Sequence, residues 1–235
     1  MSTPPQNPPV ELISESIDDS AVVWSSAPEP ARTSRPEQNL PIVLLLHGLG
    51  SHEHDLAGLA PSLAPQFTYA SLRGIHRYVQ GYAWLDASID FQRPESLQTS
   101  AAAVETWISA QSAPVVGAIG FSQGAMLALQ LLRRDPRALD WIVQLSGAPF
   151  PAPMPGDAAL AEVRPPALWG HGGLDPLFDP QRVDQVREFM SAHTRLDEVH
   201  RPQLGHAVDE VELRAIASFV RQRADERTRS AADDR

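Results

Sequence analysis

Gly120-Phe121-Ser122-Gln123-Gly124 places a serine between two glycines, where the apolar run Val115–Gly120 meets a second apolar stretch that reads as a helix. A strand, a sharp turn and a helix in that order suit a nucleophile elbow, which strains the serine backbone and lifts its hydroxyl above a sheet. Gly120 and Gly124 meet the need for small residues two positions either side. The helix N-terminus adds partial positive charge beneath the serine, and the Gln123 N–H can donate to a developing oxyanion. The plainer alternative is that Ser122 only caps its helix.

An oxyanion site needs a second donor, expected in the turn after an earlier strand. Leu44-Leu45-Leu46-His47-Gly48-Leu49-Gly50 offers one, because its glycines let the backbone fold sharply and free the Leu49 N–H. An ordinary glycine turn is the alternative. His47 precedes the serine and reads as a hydrogen-bonding brace for this turn rather than a base.

A hydroxyl nucleophile also needs a base and a carboxylate to orient that base, both at the carboxyl ends of later strands. Asp175 follows the glycine-rich turn Gly170-His171-Gly172-Gly173, whereas Asp179 directly precedes Pro180 and reads as a helix N-cap. Beyond Asp175 stand His193, His200 and His206. His193 belongs to a helix end and His200 to a strand, while His206 lies in a loop after Gly205 from which it can reach both Ser122 and Asp175. His52-Glu53-His54-Asp55 lacks zinc-site spacing, so a polar rim with Asp55 capping the next helix is expected, and no metal.

Composition narrows the chemistry further. With 0 Cys there is no disulfide, thiol nucleophile or thiolate metal site. All 19 basic residues are Arg, so Schiff-base and phosphate-loop lysines are excluded. A net charge of −10 disfavours nucleic acid and anionic lipid as partners. No apolar run reaches membrane-span length and the start lacks a signal-peptide layout, so the default compartment is the cytoplasm.

The positioning elements follow from the pattern. Short apolar runs at Ile42–Leu46, Thr68–Leu72, Val115–Gly120, Trp141–Leu145, Ala167–Trp169 and Leu196–Val199 alternate with helical periods at Asp55–Leu63, Glu95–Gln111, Gln123–Arg134, Gln181–Ala192 and Ala207–Arg223. Such alternation predicts an α/β fold, a mostly parallel sheet with helices on both faces. Residues 1–9 read as a tail, 10–224 as one domain, and 225–235 as a charged mobile tail. Val10–Ile13 and Ala21–Ser25 suggest a weak edge hairpin. Arg73 to Pro94 is longer than an ordinary connector and rich in large apolar groups, which suits an acyl wall. Trp84 and Phe150 are the named candidates for that wall.

Taken in order, His47-Gly48-Leu49-Gly50, Gly120-Phe121-Ser122-Gln123-Gly124-Ala125, Gly170-His171-Gly172-Gly173-Leu174-Asp175 and Gly205-His206 resemble the phospholipase/carboxylesterase family of α/β-hydrolases. The resemblance runs from about Pro41 to Val220, and Arg73-Gly74 and Gly81-Tyr82-Ala83-Trp84 resemble the family's stretch beside the acyl pocket. It implies Ser122, Asp175 and His206 as triad, Leu49 and Gln123 as oxyanion donors, and an α/β-hydrolase fold without a large cap. Ser51-His52-Glu53-His54-Asp55-Leu56 is closer to the bacterial esterase branch than to eukaryotic thioesterases. The expected activity is a serine carboxylesterase on short- to medium-chain esters, with a small-molecule ester as partner and no cofactor. A lysophospholipase or acyl thioesterase using the same triad, or a catalytically silent binding protein, are the alternatives, and a homodimer is left open.

Overall fold

The computed structural model describes residues 9–25, 40–86 and 94–233. The chain enters through β1 (Val10–Leu12), a 3-10 turn at Asp19–Ala21 and β2 (Val23–Trp24). Next come β3 (Ile42–Leu46), a 3-10 helix at Leu56–Ser62, β4 (Thr68–Leu72), and the short strands β5 (His76–Tyr78) and β6 (Gly81–Ala83). From there helices and strands alternate: α1 (Glu95–Ser109), β7 (Val115–Phe121), α2 (Gln123–Arg134), β8 (Trp141–Leu145), α3 (Asp157–Val163), β9 (Pro166–Gly172), α4 (Pro180–His193), β10 (Arg195–Arg201) and α5 (Glu210–Asp233).

Seven strands form the main sheet in the order β10-β9-β8-β7-β3-β4-β2. Neighbours are parallel except β2, which runs antiparallel along β4 at the edge. The central strands are buried on both faces, so they are written in continuous apolar residues such as Ile42–Leu46. Alternate side chains split into two cores. Leu44, Leu46, Ala118, Ile142 and Trp169 pack under α1, α2 and α4. Val43, Leu45, Ile119, Val143 and Leu168 pack against the 3-10 helix and α5 through Leu56, Ile216, Phe219 and Val220.

The N-terminal strands do not form a hairpin with each other. β1 pairs antiparallel with β5, and β5 with β6, in a separate three-stranded sheet, while β2 joins the main sheet. Each finds a partner far along the chain, which local turn signals cannot reveal. The stretch from Asp55 forms a 3-10 helix rather than an α-helix, with Pro61 inside it. Its Asp55 makes no cap bond and instead accepts from Ser51 Oγ at 2.7 Å. At the other end α5 continues to Asp233, past the expected start of a mobile tail, and Arg227 pairs with Asp140 at 3.2 Å. Between β8 and β9 the only helix is the seven-residue α3. Part of the expected wall, residues 87–93, lies outside the described residues.

Candidate active site

The turns that follow β3, β7, β9 and β10 meet at the carboxyl edge of the parallel sheet, where this architecture collects functional groups. Ser122 sits between β7 and α2 with φ 53° and ψ −114°, a backbone region costly for a residue with a side chain. Its side chain makes no capping bond to α2, which sets aside the plain N-cap role. The glycines around it answer to close approach. A Cβ on Gly124 would fall 1.9 Å from the Leu46 carbonyl oxygen, and one on Gly120 would fall 2.4 Å from Gly124.

Three side chains from three turns line up. Asp175 Oδ2 lies 2.7 Å from His206 Nδ1, and His206 Nε2 lies 2.9 Å from Ser122 Oγ. Asp175 is fully buried at its side chain and accepts the Leu177 N–H at Oδ1, which fixes the carboxylate plane. The His206 ring also packs on Phe121 with centroids 4.9 Å apart. Competing residues have other work. Asp179 caps α4 by accepting from the Arg182 N–H at 2.7 Å, with Pro180 at the first helical position. His193 Nδ1 is tied to the Phe189 carbonyl at 2.8 Å, and His200 stacks on His171 within the sheet edge.

The turn after β3 is held from two sides. Gly74 N–H donates to His47 Nε2 at 3.1 Å, so the ring proton resides on Nδ1 and points to the Gly48 carbonyl at 2.7 Å. Burial pushes the His47 imidazole below its usual pKa, in keeping with a neutral brace. Gly50 N–H donates to the Tyr82 carbonyl and Tyr82 N–H to the Ser51 carbonyl, each at 2.8 Å, which seals the turn against β6. Leu49 is 38% exposed.

Trp84 and Phe150 stand in the hydrophobic core, at 0% and 3% exposure. Trp84 donates from Nε1 to the His47 carbonyl and packs its ring on His47 at 5.3 Å, so it has no open face to offer an acyl chain. Its backbone N–H is held by Gln123 Oε1 at 3.0 Å. Exposed leucines occur on the turns that carry the Ser–His–Asp line and its neighbours: Leu49 after β3, and Leu174 at 61% and Leu177 at 64% exposure in the segment around Asp175. Composition did not single these leucines out, because an isolated exposed leucine carries no sequence signal. The Arg73–Glu53 pair was likewise not anticipated: Glu53 is 4% exposed and receives two N–H groups of Arg73. Burial raises the Glu53 pKa most strongly of any single cause, but the Arg73 hydrogen bonds, a backbone hydrogen bond and the Arg73 charge together outweigh it and hold the carboxyl below its usual range.

A mostly parallel sheet with helices on both faces and a serine turn between strand and helix defines an α/β-hydrolase. More narrowly, the chain belongs to the phospholipase/carboxylesterase family, matched over residues 31–224, and is a carboxylic ester hydrolase. Among solved structures it resembles the Bacillus cereus carboxylesterase at 19% identity, covering 86% of this chain and 93% of that one, with a TM-score of 0.70. A carboxylesterase from Mesorhizobium loti is similar at 22% identity, 78% and 89% coverage and a TM-score of 0.66. Zea mays acyl-protein thioesterase 2 is similar at 19% identity, 81% and 97% coverage and a TM-score of 0.62. At 22% identity or less these are likenesses of fold. Among the described residues no helix is long and apolar enough to cross a membrane.

Proposed function

We propose that the protein hydrolyses short- to medium-chain carboxylic esters through an acyl-enzyme on Ser122, with His206 as general base and Asp175 as its orienting carboxylate. The observation that carries this reading is the continuous line from Asp175 Oδ2 through His206 to Ser122 Oγ, at 2.7 Å and 2.9 Å. A carboxylate only accepts, so Asp175 keeps the imidazole proton on Nδ1 and turns the Nε2 lone pair toward the serine O–H. On attack, the serine proton moves to Nε2 while Oγ bonds to the ester carbon. The carbonyl oxygen then carries negative charge, and the backbone N–H groups of Leu49 and Gln123 receive it. His206 next protonates the leaving alcohol. Water, deprotonated by the same nitrogen, cleaves the acyl-enzyme and releases the acid.

Chain-length preference follows from the open leucine border. A methylene gains about 0.8 kcal/mol only while it finds apolar wall, close to fourfold in kcat/KM per carbon. Leu49, Leu174 and Leu177 supply such surface on exposed turns rather than a deep tunnel. With p-nitrophenyl esters, kcat/KM should rise from acetyl to medium chains and then level. A steady rise through palmitoyl would favour a lipid or thioester substrate. In the same assay Ser122→Ala should lose at least about 10³-fold in kcat while keeping its melting temperature. Substantial remaining turnover would remove the serine from the mechanism.

A further inference from the structure

The turn that carries Leu49 is not a free loop. It lies on β6 as an added strand edge, through the two 2.8 Å backbone bonds between Gly50–Ser51 and Tyr82. The fit is tight, since a Cβ on Gly81 would fall 2.0 Å from the Gly50 carbonyl oxygen. Three residues after Gly50 the chain reaches Glu53, whose buried carboxylate accepts from Arg73 Nε at 2.9 Å and from Arg73 Nη2. The same guanidinium lies over the Tyr82 ring, 4.7 Å from its centroid. One planar cation therefore touches both partners of the joint: the carboxylate that continues the turn, and the ring of the residue whose backbone receives it. Bidentate binding and ring stacking together fix a guanidinium in orientation as well as position.

We infer that Arg73 and Glu53 are positioning residues, an ion-pair clamp that holds the 48–51 turn in register on β6 and so places the Leu49 N–H relative to Ser122. This rests on the reading above in which Leu49 stabilises the oxyanion. Ser122 and the turn are in direct contact range, because a Cβ on Gly48 would lie 3.5 Å from the Ser122 Cβ. A shift of the turn thus reaches the reacting centre at once. The Leu49 N–H meets charge that exists only in the tetrahedral intermediate, so loss of its placement belongs in kcat rather than KM.

The test uses the full-length chain with Glu53→Gln and Arg73→Lys, which preserve size while breaking the bidentate pair. For each variant, kcat and KM are measured on p-nitrophenyl butyrate, alongside inhibition by an alkyl boronic acid that forms a tetrahedral adduct on serine, and the melting temperature. Displacing one oxyanion donor by a fraction of an ångström predicts a fall in kcat of roughly 10- to 100-fold, with KM unchanged within about threefold. Boronic acid affinity should weaken by a similar factor, and Asp184→Asn, which removes an exposed ion pair with Arg187, should change neither. A folded variant whose kcat stays within about threefold of wild type overturns the proposal. So does a loss of kcat with boronic acid affinity intact, and so does failure of both variants to fold, which would make the pair a determinant of the fold. If wild-type activity survives Ser122→Ala, the failure lies in the nucleophile assignment, not in the clamp.

Discussion

His206 is set apart from the other histidines beyond Asp175 by what its two ring nitrogens meet: a buried carboxylate on one side and a serine hydroxyl on the other. His206→Ala should therefore lower kcat by more than about 10³-fold, whereas His193→Ala and His200→Ala should each stay within about threefold. Steady-state kinetics on one ester checks all three, and an equal loss at His200 would contradict the assignment. A second residue-scale expectation concerns Glu212 in the first turn of α5, 1% exposed, whose Oε1 meets no hydrogen-bond partner among the described residues. Burial, helped by the Asp209 charge and opposed by the Asp209 N–H and Arg201, pushes its carboxyl up to about 7. Between the usual carboxyl range and pH 7 the folded protein keeps a proton that the unfolded chain releases. Stability from this group is full below that window and falls as pH rises through it, by about 3 kcal/mol at most. Glu212→Gln should thus gain more in urea unfolding at pH 8 than at pH 5. An equal effect at both pH values would contradict the buried-carboxyl account.

The elements hold the site through close backbone approach. α2 starts against the end of β3, so Gly124→Ala would drive a methyl into the Leu46 and His47 carbonyls and should cost about 3 kcal/mol or more in chemical denaturation. A cost under about 1 kcal/mol would mean the elbow is looser than this packing implies. The same burial that makes α2 intolerant also made it readable: its residues Gln123–Arg134 coincide with the periodicity because nearly every face is covered. β3 is legible for a related reason, as a strand buried on both faces leaves an uninterrupted apolar run, and β4 and β8 remain mostly apolar with Thr68, Ser71 and Gln144 buried among them. Edge elements left weaker marks. β10 runs Arg195–Arg201, longer than its apolar core, because its polar residues face solvent. β5 and β6 are three residues each and gain their meaning from β1 and from Ser51, partners that no local pattern names. The Arg73–Glu53 pair is hidden for the same reason, since 20 residues separate two charges that read singly as solvated surface.

Across the whole molecule, four turns separated by most of the chain converge on one edge of the sheet, and the strand order β9-β8-β7-β3 is what brings Asp175, Ser122 and Gly48–Gly50 side by side. The in-line placement of Ser122, Asp175 and His206, the residues proposed to carry the reaction, is legible in sequence because each follows a strand end with a glycine close by, in the order that parallel connections impose. The proposed leucine border is not legible there, because it depends on which leucines the folded turns leave uncovered. A cleft of about 700 Å³ between α1, α2 and the segment before α3 shares no residue with the Ser–His–Asp line, so a cleft by itself does not mark the chemistry. The central claim is that Ser122 is an activated nucleophile. It is tested most directly by treating the protein with a fluorophosphonate and mapping the modified peptide by mass. One stoichiometric adduct on Ser122 is expected, formed slowly or not at all in His206→Ala. No adduct, or an adduct at another serine with Ser122 unmodified, would contradict it.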